Sequence, residues 1–121
     1  MMQVIDLAEK FAKFSEHWRP KLVAELNGQE VKLAKFQGPF VWHKHDDADE
    51  MFLVWRGSMS IEFRDRVVEL KEGQMIVVPR GVEHRPVADS EVEVLLFEPA
   101  GVRNTGDVVD DEMTATEIER I

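Results

Sequence analysis

The amino-acid sequence predicts an all-β domain, a sandwich or a barrel, preceded by one short amino-terminal helix. From Lys21 onward, short segments of β-forming residues recur at roughly 8 to 12 residue spacing, which is typical of these two architectures. Turn-forming pairs such as Asn27-Gly28 and Gly38-Pro39 separate the segments. Within "SMSIEFR" apolar residues alternate with polar ones, so this segment predicts a strand with one buried face.

The predicted elements follow in chain order. Apolar residues at helical spacing predict a helix within residues 4–18, ended by Pro20; they are Leu7, Ala8, Phe11 and Phe14. Strands are predicted near 21–26, 30–36, 40–45, 51–56, 58–64, 66–70, 75–78, 84–88 and 91–97. The acidic sequence after Pro99 is expected to pack loosely. The chain is thus divided into an amino-terminal helical segment at 1–20, a β-domain at 21–100 and a polar carboxy-terminal tail at 101–121.

Length, charge and composition exclude several classes of function. A chain of 121 residues can form one domain with a real core but is too short for two. Its net charge of -9 offers no basic surface for nucleic acid, and its lack of cysteine excludes disulfides, thiolate metal sites and a cysteine nucleophile. No apolar run approaches the ~20 residues of a membrane helix, and the first residues do not resemble a secretion signal. We therefore expect a cytoplasmic protein with no nucleic-acid or membrane partner.

Two histidines occupy alternate positions in the predicted strand 40–45. His43 and His45 are expected to point the same way, roughly 7 Å apart along a strand that rises ~3.3 Å per residue. Glu50 follows shortly after them, and His84 begins a later strand. Imidazole and carboxylate groups together suit zinc, iron, manganese, nickel or copper. Taken separately, however, a His-x-His pair is often only a surface feature, and "DDADE" reads as a solvated acidic loop.

The spacing of these residues resembles the two signature motifs of the cupin family. The first reads Gly38, four residues, His43-Lys44-His45, four residues, Glu50, six residues and Gly57. The second reads Gly73, five residues, Pro79-Arg80-Gly81, two residues, His84, three residues and Ala88, and fifteen residues separate the motifs. Two positions depart from the family pattern. The first glycine is one residue closer to the histidines than usual, and Ala88 replaces an asparagine that is not normally a metal ligand.

The resemblance implies a fold, a metal site and a class of function. The fold is a double-stranded β-helix, the jelly-roll barrel of cupins. The implied ligands of one divalent ion (iron, manganese, nickel, zinc or copper) are His43, His45, Glu50 and His84. Glu50 is also a candidate catalytic residue, because a carboxylate beside a metal can act as a general base. The function is then a metal-dependent oxygenase, isomerase or lyase acting on a small oxygen-rich or anionic substrate. The alternative is a metal-assisted module that binds or senses a small ligand without turnover.

Residues around the site carry further expectations. Strand parity turns Trp42, Met51, Leu53 and Trp55 away from the metal, where the amino-terminal helix or a second copy of the chain has to cover them. The family resemblance favours the second copy, a homodimer. The pocket wall is expected to include Met59, Ile61, Phe63, and Met75 or Val77.

Three other polar residues have weaker claims to a role. Arg80 and Arg85 flank His84 and are candidates to bind a substrate carboxylate, although arginine near a turn usually faces solvent. His17 is expected to be structural or exposed. Because ligands bind in their deprotonated form, metal occupancy is expected to fall as the pH drops toward histidine's ~6.5.

Overall fold

One long strand organises the β-sheet of this protein. The computed structural model describes residues 2–121, within which there are one helix and eight strands. They are α1 (Leu7–Phe11), β1 (Lys21–Leu26), β2 (Gln29–Pro39), β3 (Glu50–Arg56), β4 (Ser58–Phe63), β5 (Val67–Lys71), β6 (Met75–Val78), β7 (His84–Pro99) and β8 (Glu119–Arg120). The strand order is β5-β4-β7-β2-β1-β8, and β3 pairs with both β6 and β7. The predicted all-β class and jelly-roll fold are confirmed.

Strand β7 joins regions that the sequence predicted as two separate strands. Its first residues pair with β4, its last residues pair with β3, and β2 runs antiparallel along both parts. Residues 89–91 between the two parts are exposed. The backbone continues through this stretch because β7 passes from one partner strand to the other.

Alternation along the strands separates a barrel interior from an outer face. On β3, Glu50, Phe52 and Val54 are buried, whereas Met51 and its alternate neighbours are only partly buried. The interior residues form the main core cluster together with side chains from β2, β4, β6 and β7. The Glu50 side chain therefore points into the barrel, on the same face of β3 as Phe52 and Val54. Among residues 2–121, no helix is long and apolar enough to span a membrane.

The amino-terminal helix is shorter than predicted. Its N-cap is Asp6, whose carboxylate accepts a hydrogen bond from the Glu9 amide (3.1 Å), and it ends at Phe11. The predicted extension to residue 18 is wrong, because two parts of this segment pack on different sides of the sheet. Phe11 packs on the outer face with Trp55, at 6.4 Å between ring centroids, whereas Trp18 joins the interior core. The backbone leaves the helix to make this crossing, and Trp18 adopts a left-handed φ of 63°.

Residues 40–45 do not form the predicted strand. Strand β2 ends at Pro39, and an isolated pair of backbone hydrogen bonds joins His43 to His84 (3.0 and 2.9 Å). In a regular strand Phe40 would share the outward face predicted for Trp42, but Phe40 is buried and packs its ring edge-on against His43 at 5.4 Å between centroids. An irregular backbone permits this, because side chains need not alternate strictly outside a ladder.

The carboxy-terminal segment is not loosely packed. Thr105 is fully buried, and β8 pairs in parallel with β1 at Lys21 and Leu22. The polar residues that suggested a solvated tail instead bond to one another and to the barrel. Asn104, for example, donates to the Met113 carbonyl (2.8 Å) and accepts from the Ala115 amide (2.9 Å). We call residues 103–108 the strap, because they contact the Lys44 backbone and the His43 ring.

Candidate metal centre

Four buried side chains from three parts of the fold meet inside the barrel. His43 and His45 come from the irregular segment after β2, Glu50 is the first residue of β3, and His84 is the first residue of β7. One potential ligand atom from each lies within 4.8 Å of the other three. The structure therefore brings together the four residues that the sequence predicted as ligands.

Two of the histidines are oriented by backbone carbonyls. His43 Nδ1 is 2.9 Å from the Val41 carbonyl oxygen, and His84 Nδ1 is 2.9 Å from the Val82 carbonyl oxygen. Because a carbonyl oxygen can only accept, each ring carries a proton on Nδ1, which leaves Nε2 as the nitrogen available to a metal ion. This arrangement, in which the second nitrogen fixes the ring, is usual for metal-binding histidines.

Three other polar atoms of the cluster are buried without a hydrogen-bond partner among residues 2–121. They are His45 Nε2, His84 Nε2 and Glu50 Oε1. The Glu50 oxygen lies 3.2 Å from the His45 nitrogen and 3.6 Å from the His84 nitrogen. Buried polar atoms without partners are costly, and lone pairs that converge on one point are what a cation satisfies. The residues therefore fit a divalent metal ion.

Electrostatics leave the cluster ready to bind a cation. Burial, reinforced by the neighbouring His84, lowers the pKa of His43 from 6.5 to about 4. Burial acts to raise the pKa of Glu50, but the contacts with His45 and His84 outweigh it and hold the pKa of this carboxyl below its ordinary value. At neutral pH the His43 ring is therefore uncharged and Glu50 is ionised, as metal ligands must be.

A second buried carboxyl lies behind Glu50, and sequence reasoning missed it. Glu98 on β7 is 2% exposed and hydrogen-bonds to Glu50. Burial, together with the charge of Glu50, raises the pKa of Glu98 well above its ordinary value, which favours the protonated form of Glu98 as a hydrogen-bond donor to Glu50. Lys32 on β2 is equally buried, and its Nζ lies 3.1 Å from Glu98 and 3.3 Å from Glu30. The signal in the sequence was a charged residue at an inward position of the alternating run 92–98.

An apolar cavity of about 20 Å³ adjoins the cluster. Its wall contains two of the candidate ligands, His43 and Glu50, and is otherwise mostly apolar; the other lining residues are Trp18, Pro20, Phe36, Phe40, Phe52, Pro86, Leu96 and Asn104. Trp18 stacks between two phenyl rings, with centroids 4.3 Å from Phe36 and 4.5 Å from Phe40. A cavity of this size holds about one water molecule.

The residues predicted for the pocket wall do not line this cavity, and one of them, Phe63, is partly buried against the interior core. Met59 and Ile61 are buried in the interior core, but Met75 and Val77 are 52% and 51% exposed. Strand β6 pairs Val77 with Met51, and Met75 with Leu53, so these residues share the outer face of the sheet. The exposed apolar side chains of β6 therefore lie on the outside of the barrel.

The two arginines near His84 are engaged elsewhere. Arg85 donates two hydrogen bonds to Glu62 (2.9 and 2.7 Å), and the exposed Arg80 lies 3.7 Å from Asp49. Outside the cluster, His17 is partly exposed and lies 2.8 Å from Glu91, in agreement with a structural role.

The outward tryptophans are covered within the chain. Trp42 lies beneath the guanidinium group of Arg64, 3.9 Å from the ring centroid. Trp55 packs against Phe11 of the helix.

Comparison with known proteins agrees with these observations. The protein-family model described as the cupin domain matches residues 29–98 of this chain. A crystal structure of a cupin-2 domain containing protein from Shewanella frigidimarina is 46% identical, with a TM-score of 0.79 over 79% of this chain and 94% of that chain. An uncharacterized Bacillus subtilis protein, YdbB, is 37% identical over 81 residues, which is 66% of each chain. The structure of hydroquinone 1,2-dioxygenase PnpCD in complex with Cd²⁺ and 4-hydroxybenzonitrile is 18% identical, with a TM-score of 0.65 over 76% of this chain and 70% of that one, and shares the fold.

Proposed function

Because the chain belongs to the cupin family and carries a buried group of three histidines and one glutamate that could hold a metal ion, we propose that it is a metal-dependent enzyme acting on a small oxygen-rich or anionic molecule. The observation that carries this proposal is the convergence of the four potential ligands beside a cavity whose wall is mostly apolar. A substrate admitted by a movement of side chains or of the strap would have its polar group against the candidate metal centre and its apolar part against aromatic rings.

The chain's own residues would prepare the site in three ways. His43, His45, Glu50 and His84 would hold the ion. When bound, that ion would polarise a carbonyl group or, if it is iron, support oxygen chemistry. The mostly apolar wall around Trp18 and Phe40 would limit access of water and so strengthen electrostatic interactions with a substrate. Glu98 holds the Glu50 carboxylate through a hydrogen bond, which favours a ligand role for Glu50 over that of a mobile base.

A non-catalytic binding module is the second candidate, and the small size of the cavity favours it. About 20 Å³ beside the cluster leaves no room for a substrate unless side chains or the strap move. A module that grips a very small ligand needs no such movement. The enzyme and the module then differ in turnover rather than in metal binding.

The Glu50→Gln variant tests this proposal. Wild-type protein is loaded in turn with iron, manganese, nickel and zinc, and screened under air against small acids, diketones and catechols. If Glu50 is a ligand, the variant loses metal and activity together, because glutamine lacks the negative charge. If Glu50 is a base, the variant keeps its metal but loses turnover.

An exposed glutamate on β5 provides the control for this experiment. Glu69→Gln removes the same charge outside the cluster and should change neither metal content nor turnover. Tight ligand binding by the wild type with every metal, but no product with any, would support the binding module instead.

We also propose that the protein forms a homodimer through the outer face of β3 and β6. Met75 and Val77 expose about half of their surface, beside the partly buried Met51 and Leu53. These four residues pair across the two strands and form one continuous apolar surface. A second copy presenting the same surface would bury it, as in a twofold-symmetric interface.

A further inference from the structure

The strap contacts the backbone that carries two of the candidate ligands. The Asp107 amide donates to the Lys44 carbonyl (3.0 Å), and the Lys44 amide donates to the Asp107 carboxylate (2.9 Å). Lys44 lies between His43 and His45 in the chain. Both hydrogen-bonding groups of its backbone are therefore fixed by one residue of the strap, Asp107.

Gly106 brings the strap against a ligand side chain. Its φ is +58°, and a methyl group added to it would overlap the Lys44 carbonyl oxygen. The same methyl group would lie 2.9 Å from the Lys44 carbonyl carbon and 3.0 Å from Cδ2 of the His43 ring. Only a residue without a side chain lets the strap approach the His43 imidazole this closely.

Hydrogen bonds also join the strap to residues 113–115 of the carboxy-terminal segment, so the strap is fixed on the side away from Lys44 as well. The buried Thr105 hydroxyl bonds to the Val108 carbonyl within the strap (2.6 Å) and to the Thr114 hydroxyl outside it (2.7 Å). Asn104 connects the strap to residues 113 and 115 by hydrogen bonds. The candidate ligands all lie within residues 29–98, which match the cupin domain, whereas the strap lies beyond them.

We propose that the strap positions His43 in the metal centre, with Gly106 and Asp107 as positioning residues. This inference rests on the metal site of the proposed function. His43 comes from a segment outside any strand, where one backbone pair with His84 and one carbonyl contact at Nδ1 fix it from within the barrel. The strap supplies the contact from the opposite side, so that the imidazole keeps one orientation toward the other ligands.

The decisive variant is Gly106→Ala, compared with Gly101→Ala. Gly101 also has a left-handed φ (+84°), but a methyl group there meets nothing within 4 Å. The comparison therefore separates backbone strain from contact with Lys44 and His43. We expect the affinity for Co²⁺, measured by competition with a fluorescent chelator, to fall roughly 10-fold or more in Gly106→Ala, as for other residues that orient metal ligands. The visible spectrum of bound Co²⁺ should change in the same variant, and Gly101→Ala should behave as wild type.

The possible outcomes distinguish a failure of the positioning proposal from a failure of the proposed metal site. Equal Co²⁺ affinities in Gly106→Ala and Gly101→Ala overturn the proposal, even if thermal unfolding of the metal-free Gly106→Ala protein occurs at a lower temperature. A wild type that takes up no Co²⁺ refutes the metal site itself.

If Gly106→Ala does not fold, Asp107 decides the question. Asp107→Asn keeps an oxygen that accepts from the Lys44 amide, whereas Asp107→Ala removes it. The proposal requires weaker Co²⁺ binding in Asp107→Ala than in Asp107→Asn. Equal affinities in the two variants overturn it.

Discussion

At the scale of single residues, burial decides which groups of the candidate site carry protons. His43 and Glu98 are both almost inaccessible to water, and burial favours the neutral form of each. For the histidine, neutrality means a free lone pair. For the glutamate, it means a proton that can be donated to Glu50. Burial thus favours both the form of His43 that can bind a metal ion and the form of Glu98 that can donate a hydrogen bond to Glu50.

The lowered pKa of His43 predicts how the stability of the metal-free protein depends on pH. Between pH 6.5 and about 4 the unfolded chain binds a proton at this histidine and the folded chain does not, so stability falls as the pH decreases. The loss is about 1.4 kcal/mol per pH unit within this window, and it is absent above pH 6.5. Urea unfolding of chelator-treated protein between pH 7.5 and 5 measures it.

The matched variant for this measurement is His43→Gln, which cannot titrate at this position. The raised pKa of Glu98 contributes the opposite slope above its ordinary range, because there the folded chain holds the extra proton. The difference between wild type and His43→Gln removes that contribution. Identical pH profiles for the two proteins would contradict a depressed pKa at His43.

Substitutions at Glu98 test whether it is a neutral hydrogen-bond donor. In Glu98→Gln the amide can still donate to Glu50 and accept from Lys32, so the free energy of unfolding should change by less than about 1 kcal/mol. Glu98→Ala leaves the buried Lys32 with only Glu30 and should cost about 3 kcal/mol. Urea denaturation at pH 7 distinguishes the two. Equal destabilisation by both substitutions would mean that Glu98 is ionised.

At the scale of elements, the outer face of β3 and β6 determines the expected assembly. A charge at the centre of this apolar surface should prevent dimer formation, so Val77→Asp is expected to have the mass of a single chain in light scattering at micromolar concentration. Val67→Asp, at a similarly exposed position on β5, should keep the dimer mass of the wild type. A wild type that is monomeric under these conditions would contradict the proposed interface.

The sequence predicts some elements well and others poorly, for identifiable reasons. Alternation and turn residues predict β4 and β6 almost to the residue, because each is a regular strand with one face inward. The predictions for the full length of the helix and for a strand at 40–45 fail because tertiary packing of Trp18 and Phe40 overrides the local sequence pattern. The four candidate ligands could be predicted from the spacing of the two sequence motifs alone. The strap and Glu98 were missed, because their roles depend on contacts between residues far apart in the chain.

At the scale of the whole molecule, the barrel has a core that does not depend on the metal centre. Fourteen buried side chains from the strands and neighbouring segments form one hydrophobic cluster among the described residues. Burial of apolar surface on this scale is the dominant favourable contribution to folding. We therefore expect the barrel to fold without metal, and the ion to serve function rather than to hold the chain together.

Metal content most directly tests the central claim that His43, His45, Glu50 and His84 form one metal site. The protein is purified without a metal-affinity step, and its metal is measured by elemental analysis. We expect about one divalent ion per chain in the wild type and a large loss of metal in His45→Ala and His84→Ala, with circular dichroism still showing a β-rich fold. His17→Ala removes a histidine outside the cluster and should keep the ion. If His45→Ala and His84→Ala both contained as much metal as the wild type, this result would contradict a shared site.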